Sequence, residues 1–142
     1  MNVVADTNVL VSAFLWEGPP NHILVAAEEL RISFYTSPDL LDELADVLSR
    51  PRFSKRIIAL RTTSEDLVTG YARLAQVVVP TSMTPVVLDD PSDDAVLACA
   101  LAAHALCIVS GDDHLLRLTH YQSIRIVSPR TFLTHFLHRP SH

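Results

Sequence analysis

The chain has 142 residues, of which 49% are apolar, so its length and composition predict a single domain over residues 1–142 with one buried core. Its formal net charge of −5 argues against a protein that coats nucleic acid through overall charge. Charged residues interrupt each apolar run before the roughly 20 residues that a membrane span requires, and the first residues do not show the pattern of a secretory signal, so we expect a soluble, cytoplasmic protein with no membrane partner.

The first predicted element is a buried strand at the start of the chain. An apolar run at residues 3–5 is followed at once by Asp6, Thr7 and Asn8. In parallel sheets that helices cover on both faces, ligands and catalytic groups collect at the carboxyl ends of the strands. Asp6 is therefore the first candidate functional residue.

A helix and a second strand follow. Residues 17–21 contain a glycine and two prolines and predict a turn, and apolar residues at helical spacing predict a helix over residues 22–30. Residues 32–36 combine alternating polarity with β-branched and aromatic side chains, which is typical of a strand. The order strand, helix, strand predicts a right-handed parallel unit.

The next helix carries a candidate acid. Ser37 is predicted as its N-cap and Pro38 as its first residue, and we expect the helix to run to about residue 48. Its leucines and valine form a buried stripe, and Glu43 lies at the border of that stripe, where it can face the sheet. Taken alone, this helix favours a partly solvated surface glutamate, so a functional role for Glu43 depends on other acids nearby.

A basic segment at residues 50–61 comes next, with Arg50, Arg52, Lys55 and Arg56 interleaved among apolar residues. Cations on a short helix at the rim of a cleft would suit an RNA phosphate backbone, because lysine and arginine bind phosphates whatever the base sequence. A solvated helical face explains the same pattern, and both interpretations stay open. After it we expect a helix over residues 63–76, a strand over residues 77–79 and a further apolar run at residues 86–88.

An alanine-rich helix is predicted within residues 89–103, where it would pack closely on the sheet. Asp93 has a ready structural role in its first turn as a partner of the helix dipole. Asp94 does not, because helical spacing places it on the inward face with Ala98 and Leu101, where an unpaired carboxylate is costly. We therefore predict a functional role for Asp94.

A second buried strand, predicted over residues 105–109, also ends in polar groups. Ser110, a glycine, Asp112 and Asp113 follow it directly. We assign Asp113 as the N-cap of a short helix over residues 114–118, whereas Asp112 is open to either a capping or a functional role. A strand over residues 124–127 and a helix that begins near Ser128 complete the chain.

Four acids from four segments are thus expected at one end of a parallel sheet: Asp6, Glu43, Asp94 and Asp112. Like charges in one pocket raise one another's pKa. A hard divalent cation, Mg²⁺ or Mn²⁺, would resolve this repulsion by taking carboxylate oxygens while keeping waters. We expect neither thiolate nor imidazole in the cluster, so a structural zinc site fits poorly. The sequence also lacks a glycine-rich phosphate loop and a G-x-S-x-G nucleophile motif.

These acidic stretches resemble the four motifs of PIN-domain nucleases. The matching motifs are Asp6-Thr7-Asn8 after the first strand, Glu43 in its helix, Asp94 at the start of the alanine-rich helix, and Ser110-Gly111-Asp112 before the short helix predicted over residues 114–118. The match spans residues 2 to about 133 in the family's order. It implies a three-layer α/β/α sandwich with a mostly parallel sheet of about five strands, and a Mg²⁺- or Mn²⁺-dependent endoribonuclease that acts on single-stranded RNA.

The resemblance also implies residue roles and partners. The implied metal ligands are Asp6, Glu43, Asp94 and Asp112, while Thr7 or Asn8, and Ser110, would orient ligands or waters. For small bacterial members of the family, the resemblance further implies a VapC-like toxin with an antitoxin protein as partner and a homodimeric state.

Several assignments stay open at this point. Adjacent acids leave the ligand open between Asp93 and Asp94, where helical register favours Asp94, and between Asp112 and Asp113. The alternative to a nuclease is a catalytically silent PIN-like module that binds RNA or a protein. An aspartyl-phosphate phosphatase is disfavoured, because its Asp-x-Asp arrangement would need an acid where Asn8 stands.

Overall fold

The structure is a computed structural model that describes residues 1–81 and 91–137. The predicted apolar run at residues 86–88 lies outside the described residues, as do the last five residues of the chain. All of the predicted site residues lie within them.

The centre of the fold is a six-stranded sheet among the described residues. Its strands are β1 (Asn2–Ala5), β2 (Ser33–Thr36), β3 (Gln76–Val77), β4 (Cys107–Val109), β5 (His120–Tyr121) and β6 (Ile124–Val127). They lie in the order β3-β2-β1-β4-β6-β5, and every neighbouring pair is parallel except β5 with β6. The predicted α/β class with a mostly parallel sheet is confirmed, and β5 makes the sheet one strand larger than the five expected.

The additional strand β5 is a short antiparallel edge. Tyr121 pairs with Ile124 of β6, and His120 pairs with Arg125. Gln122, in the connection between the two strands, adopts a φ of 52°. A strand of two residues is too short to show alternating polarity, which is why the sequence pattern does not predict it.

Helices cover both faces of the sheet. They are α1 (Thr7–Leu15), α2 (Pro19–Glu28), α3 (Pro38–Leu48), α4 (Ser54–Ala59), α5 (Ser64–Leu74), α6 (Pro91–Ala102), α7 (Asp113–Leu118) and α8 (Pro129–Phe132), with a 3₁₀ turn at Pro51–Phe53 before α4 and a π-helical turn at Leu133–Leu137 after α8. Two hydrophobic clusters result, one on each face, and this is the three-layer α/β/α arrangement.

The alternation of side chains along β1 explains the two clusters. Val3 and Ala5 point to the face that α1, α2, α3, α5 and α8 cover, whereas Val4 points to the opposite face with residues of α6 and α7. The adjacent strand β4 alternates in the same way, with Ile108 on the α6 side. Because successive side chains of a strand point to opposite faces, both central strands are buried on both sides.

The sequence pattern does not predict α1, and it starts α2 too late. Most residues of α1 are buried, including Val9, Leu10 and Val11, so this helix lacks the polar face that marks an amphipathic period. The available signal was Asp6, which is its N-cap. Helix α2 begins at Pro19 rather than at residue 22, because proline is well suited to the first position of a helix.

The prediction for α3 is confirmed at both ends. Ser37 is its N-cap and accepts a hydrogen bond from the backbone N–H of Leu40 at 3.3 Å. Leu44 and Leu48 are buried, whereas Glu43 is partly exposed, as its position at the border of the apolar stripe predicts. The helix therefore carries Glu43 beside the carboxyl end of the sheet.

Candidate active site

The buried carboxylate of Asp6 lies between the first strand and the first helix. Its Oδ1 accepts a hydrogen bond from the backbone N–H of Val9 at 2.9 Å. Its Oδ2 accepts from the hydroxyl of Ser110 at 2.5 Å and from the backbone N–H of Gly111 at 3.3 Å. The backbone N–H of Asp6 donates to the carbonyl of Val109, the last residue of β4. The segments that leave the two central strands are thus tied together.

Ser110 links Asp6 to the loop that carries Asp112. Ser110 is fully buried. Its hydroxyl donates to Asp6, and its Oγ accepts a hydrogen bond from the backbone N–H of Asp112 at 2.9 Å. The single hydroxyl therefore fixes the orientation of one carboxylate and the position of the segment bearing another.

Asp112, rather than Asp113, caps the helix after β4. The Oδ1 of Asp112 accepts hydrogen bonds from the backbone N–H groups of His114 at 2.8 Å and Leu115 at 3.2 Å. The assignment of Asp113 as the N-cap is wrong by one residue, because α7 begins at Asp113 and not at His114. Since the cap uses Oδ1, the capping role leaves Oδ2 of Asp112 for a ligand.

The structure places Asp93, rather than Asp94, on the inward face of α6. Asp93 is 5% exposed and lies one turn before Leu97, which is fully buried. Asp94 is only partly buried, as are Ala98 and Leu101, with which it is in register. The prediction that Asp94 faces inward is therefore wrong. Small and apolar residues occur on both sides of this helix, so its composition did not distinguish the two registers.

Four acids from four elements surround one small pocket at the carboxyl end of the sheet. The pocket has a volume of about 80 Å³, and its lining residues are Asp6, Thr7, Asn8, Glu43, Asp93, Val96 and Asp112. Thr7 is buried and Asn8 is exposed. Among the predicted site residues, Ser110 contacts this pocket through Asp6, and Asp94 is not among the described residues that line it.

The electrostatics of the pocket favour a bound cation. Burial raises the pKa of Asp6 above its ordinary value, and the negative charge of Asp112 raises it further, while the hydrogen bonds from Ser110 and from two backbone N–H groups lower it. The described residues that line the pocket include several carboxylates but neither lysine nor arginine. Carboxylate oxygens together with a hydroxyl and an amide are a donor set that fits Mg²⁺ or Mn²⁺.

His114 lies at the edge of this acidic set, which corrects the expectation of a cluster without imidazole. One possible ligand atom from each of Asp93, Asp112 and His114 lies within 4.8 Å of the other two. The sequence contained a signal for His114, namely its spacing of two residues from Asp112 at the start of a short helix.

The basic segment lies away from the pocket. Arg56 donates from Nε to the carbonyl of Leu15, the last residue of α1, at 2.5 Å. Asp6 lies at the other end of this nine-residue helix, roughly 13 Å away at 1.5 Å per residue. Arg52 and Lys55 are exposed. Arg56 therefore lies about one helix length from Asp6, and both interpretations of the basic segment stay open.

The chain is similar to a known family and to an archaeal protein. A family model described as PIN domain matches residues 2–114. An uncharacterized protein of Methanocaldococcus jannaschii is 26% identical over 145 residues, and the alignment covers 96% of this chain and 92% of that protein. Within the part of the chain that the structure describes, no helix is both long and apolar enough to cross a membrane.

Proposed function

The chain belongs to the PIN domain family, and from this premise we propose that it is a metal-dependent endoribonuclease that hydrolyses RNA phosphodiester bonds. PIN domains are in general nucleases. The observation that carries the proposal is that Asp6, Glu43, Asp93 and Asp112 line one pocket at the carboxyl end of the central strands. A catalytically silent module that only binds RNA or protein would have no need for four carboxylates in one pocket.

The proposed cofactor is Mg²⁺ or Mn²⁺. Asp6 and Asp93 would hold the principal ion, and Glu43 and Asp112 would complete its coordination or hold a second ion. Asp93 takes the role that the sequence analysis gave to Asp94, because Asp93 lines the pocket. When bound, the ion supplies Lewis acidity towards a phosphate oxygen and lowers the pKa of a water molecule.

Side chains of the protein would set the geometry of this centre. Ser110 and the backbone N–H of Gly111 hold Oδ2 of Asp6, and the backbone N–H of Val9 holds Oδ1, so the carboxylate is oriented before a ligand arrives. Thr7 and Asn8 stand on the pocket wall, where we propose that they orient ligands, waters or the substrate phosphate. Exposed Asn8 is suited to contact a substrate, whereas buried Thr7 is suited to hold a neighbouring ligand.

Cleavage of single-stranded RNA tests the proposal. We expect the purified protein to cut a labelled RNA in the presence of Mn²⁺ or Mg²⁺ and to stop when a chelator is added. Asp6→Asn should lower the cleavage rate at least ~100-fold, because it removes an oriented charged ligand. Equal cleavage by the two proteins would refute the proposed centre. Tight RNA binding without metal-dependent cleavage would establish the silent module instead.

At a finer level, we propose that the protein is the VapC-like toxin of a toxin–antitoxin pair, that it forms a homodimer and that it acts in the cytoplasm. The resemblance of its four acidic motifs to those of small bacterial PIN toxins supports the toxin role. Genomic position tests this directly, since a short reading frame for a DNA-binding antitoxin should lie immediately upstream. Absence of such a frame, together with no growth inhibition on expression, would overturn the toxin role without affecting the nuclease.

A surface groove supports a protein partner. It has a volume of about 400 Å³, and its lining residues are Phe14, Leu24, Glu28, Asp66, Leu67, Gly70, Tyr71 and Leu74. An apolar floor with two acids complements a segment that combines apolar and basic side chains, and we propose an antitoxin segment of that kind as its occupant. Leu67→Glu should abolish the complex with the coexpressed antitoxin and leave the oligomeric state of the protein alone unchanged. A loss of self-association instead would assign the groove to the dimer.

A further inference from the structure

We propose that His114 supplies an imidazole nitrogen to the divalent cation at the acidic pocket and thereby makes the site selective for Mn²⁺ over Mg²⁺. This inference rests on the proposed metal centre and names one additional ligand in it. It concerns which metal binds and through which atoms, and it does not depend on which RNA is cut.

The distances fit one ion shared by three side chains. One ligand atom each from Asp93, Asp112 and His114 lies within 4.8 Å of the other two. Two ligands at roughly 2.1 Å from an octahedral ion are about 3.0 Å apart when they are adjacent and about 4.2 Å apart when they are opposite. The three atoms therefore need only small side-chain movements to meet on one ion.

The imidazole of His114 is not held by a direct hydrogen bond to the neighbouring carboxylate. The distance between Nδ1 of His114 and Oδ1 of Asp112 is 4.0 Å, which is beyond hydrogen-bond range. That Oδ1 already accepts hydrogen bonds from the backbone N–H groups of His114 and Leu115. The His114 side chain is about half exposed, at 53%. The ring is thus near the acids, and its rotation towards a cation breaks no hydrogen bond with that carboxylate.

The fold brings the three ligands from two sides of the pocket. Asp112 and His114 belong to the loop after β4 and the first turn of α7, whereas buried Asp93 belongs to the first turn of α6. The cap formed by Asp112 fixes the start of α7 and therefore the direction from which the His114 side chain leaves the backbone.

The chemistry of the donors predicts the selectivity. Mg²⁺ binds oxygen ligands and keeps its waters, and it gains little from an imidazole. Mn²⁺ accepts both carboxylate oxygen and imidazole nitrogen, and later divalent metals of the first transition row bind nitrogen more strongly still. A site of carboxylates alone would discriminate less between Mg²⁺ and Mn²⁺.

Electron spin-echo spectroscopy of bound Mn²⁺ tests the inference directly. The ¹⁴N modulation from a coordinated imidazole should be present in the wild-type protein. It should disappear in His114→Ala and in His114→Gln. It should persist in His120→Ala, which removes an exposed histidine of β5 and is the matched control. A wild-type spectrum without ¹⁴N modulation, or modulation that survives both His114 variants, would overturn the inference.

Calorimetric titration with each metal gives a second readout. We expect His114→Ala to weaken Mn²⁺ binding roughly 10-fold, the scale typical for loss of a supporting interaction at a metal site, and to change Mg²⁺ binding no more than about 2-fold. Equal effects on both metals would contradict the selectivity. Mn²⁺ binding without a nitrogen signal would refute the role of His114 alone, whereas no metal binding by the wild-type protein would refute the proposed metal centre and this inference together.

Discussion

At the residue scale, Asp6 links the acidic pocket to the stability of the fold. Burial raises the pKa of Asp6 in the folded protein above its ordinary value of 3.8. A group with a raised folded-state pKa contributes stability that is fully present below its unfolded pKa and is lost as the pH rises through its folded pKa. In the metal-free protein, the ionised Asp6 therefore lowers the free energy of unfolding at neutral pH.

Asp6→Asn should consequently be more favourable to the stability of the metal-free protein at neutral pH than at acidic pH, while it lowers activity. An amide has no charge to desolvate, and its oxygen can still accept the hydrogen bond from the backbone N–H of Val9. Urea unfolding of both proteins from acidic to neutral pH is the measurement. The free energy of unfolding of Asp6→Asn should rise relative to that of the wild type as the pH rises. A stability difference that stays constant or falls as the pH rises would contradict the raised pKa of Asp6.

Ser110 is expected to act on the metal site through Asp6. Ser110→Ala removes the donor to Asp6 Oδ2 and the acceptor for the backbone N–H of Asp112. We expect Mn²⁺ binding to weaken about 10- to 100-fold, as for other residues that orient metal ligands. Ser128→Ala is a suitable control, because Ser128 caps α8 and its loss should cost about 1 kcal/mol of stability without altering metal affinity. Equal metal binding by Ser110→Ala and the wild type would refute this positioning role.

At this scale, most residues of the pocket were predictable from the sequence, but the register of α6 was not. Asp6 was predictable because it directly follows the buried strand β1, and Asp112 because it lies in the polar loop directly after the buried strand β4. The choice of Asp94 over Asp93 failed because α6 has alanines or larger apolar residues on nearly every side. In such a helix, spacing alone does not identify the buried face, and the sheet against which it packs decides the register.

At the element scale, α3 positions Glu43 by burying the stripe of apolar side chains next to it. Leu44, the next residue, is fully buried in the cluster on the α1 face of the sheet. Leu44→Ala should lower the free energy of unfolding by about 2 to 5 kcal/mol, because removing a buried leucine side chain loses apolar burial and leaves a cavity. Leu60→Ala changes a residue that is 40% exposed, so it should lower the free energy of unfolding far less. Similar unfolding midpoints in urea for the two variants would contradict the packing described here.

The elements that sequence patterns missed are the ones that depend on neighbours. Helix α3 was predictable from local signals, a serine cap, a proline and one apolar stripe. Helix α1 is buried on most sides, so it has no amphipathic pattern, and β5 has only two residues and forms through pairing with β6. Long-range packing determines both elements, and a single sequence contains little trace of it.

At the scale of the whole molecule, charge is unevenly distributed. The protein has a net charge of −5, yet residues 49–62 contain five arginine or lysine residues and no acid. Near Arg52, the rings of Trp16 and Phe53 lie 6.2 Å apart, and the Arg52 guanidinium lies 4.7 Å from the centre of the Phe53 ring. Exposed cations beside aromatic rings suit a single-stranded nucleic acid that extends beyond the pocket.

Reversing charge in this segment should therefore affect long substrates more than short ones. For the double variant Arg52→Glu and Lys55→Glu, we expect KM for a long single-stranded RNA to rise about 10-fold at low salt, with a weaker dependence on salt concentration. Cleavage of a trinucleotide should be unchanged, because Arg56 of the same basic segment contacts the end of α1 opposite to Asp6. If the double variant and the wild type have equal KM values for the long RNA, the basic segment is a solvated helical face and does not bind RNA.

The central claim is that Asp93, with Asp6, Glu43 and Asp112, forms a divalent-metal centre that cuts RNA. The most direct test compares two adjacent substitutions in the same helix turn, Asp93→Asn and Asp94→Asn, for Mn²⁺-dependent cleavage of one single-stranded RNA. Asp93 lines the pocket, whereas Asp94 is not among its described lining residues. We predict that Asp93→Asn lowers kcat at least ~100-fold and that Asp94→Asn stays within about 3-fold of the wild type. Loss of cleavage in Asp94→Asn with normal cleavage in Asp93→Asn would contradict the assignment of Asp93 to the metal centre.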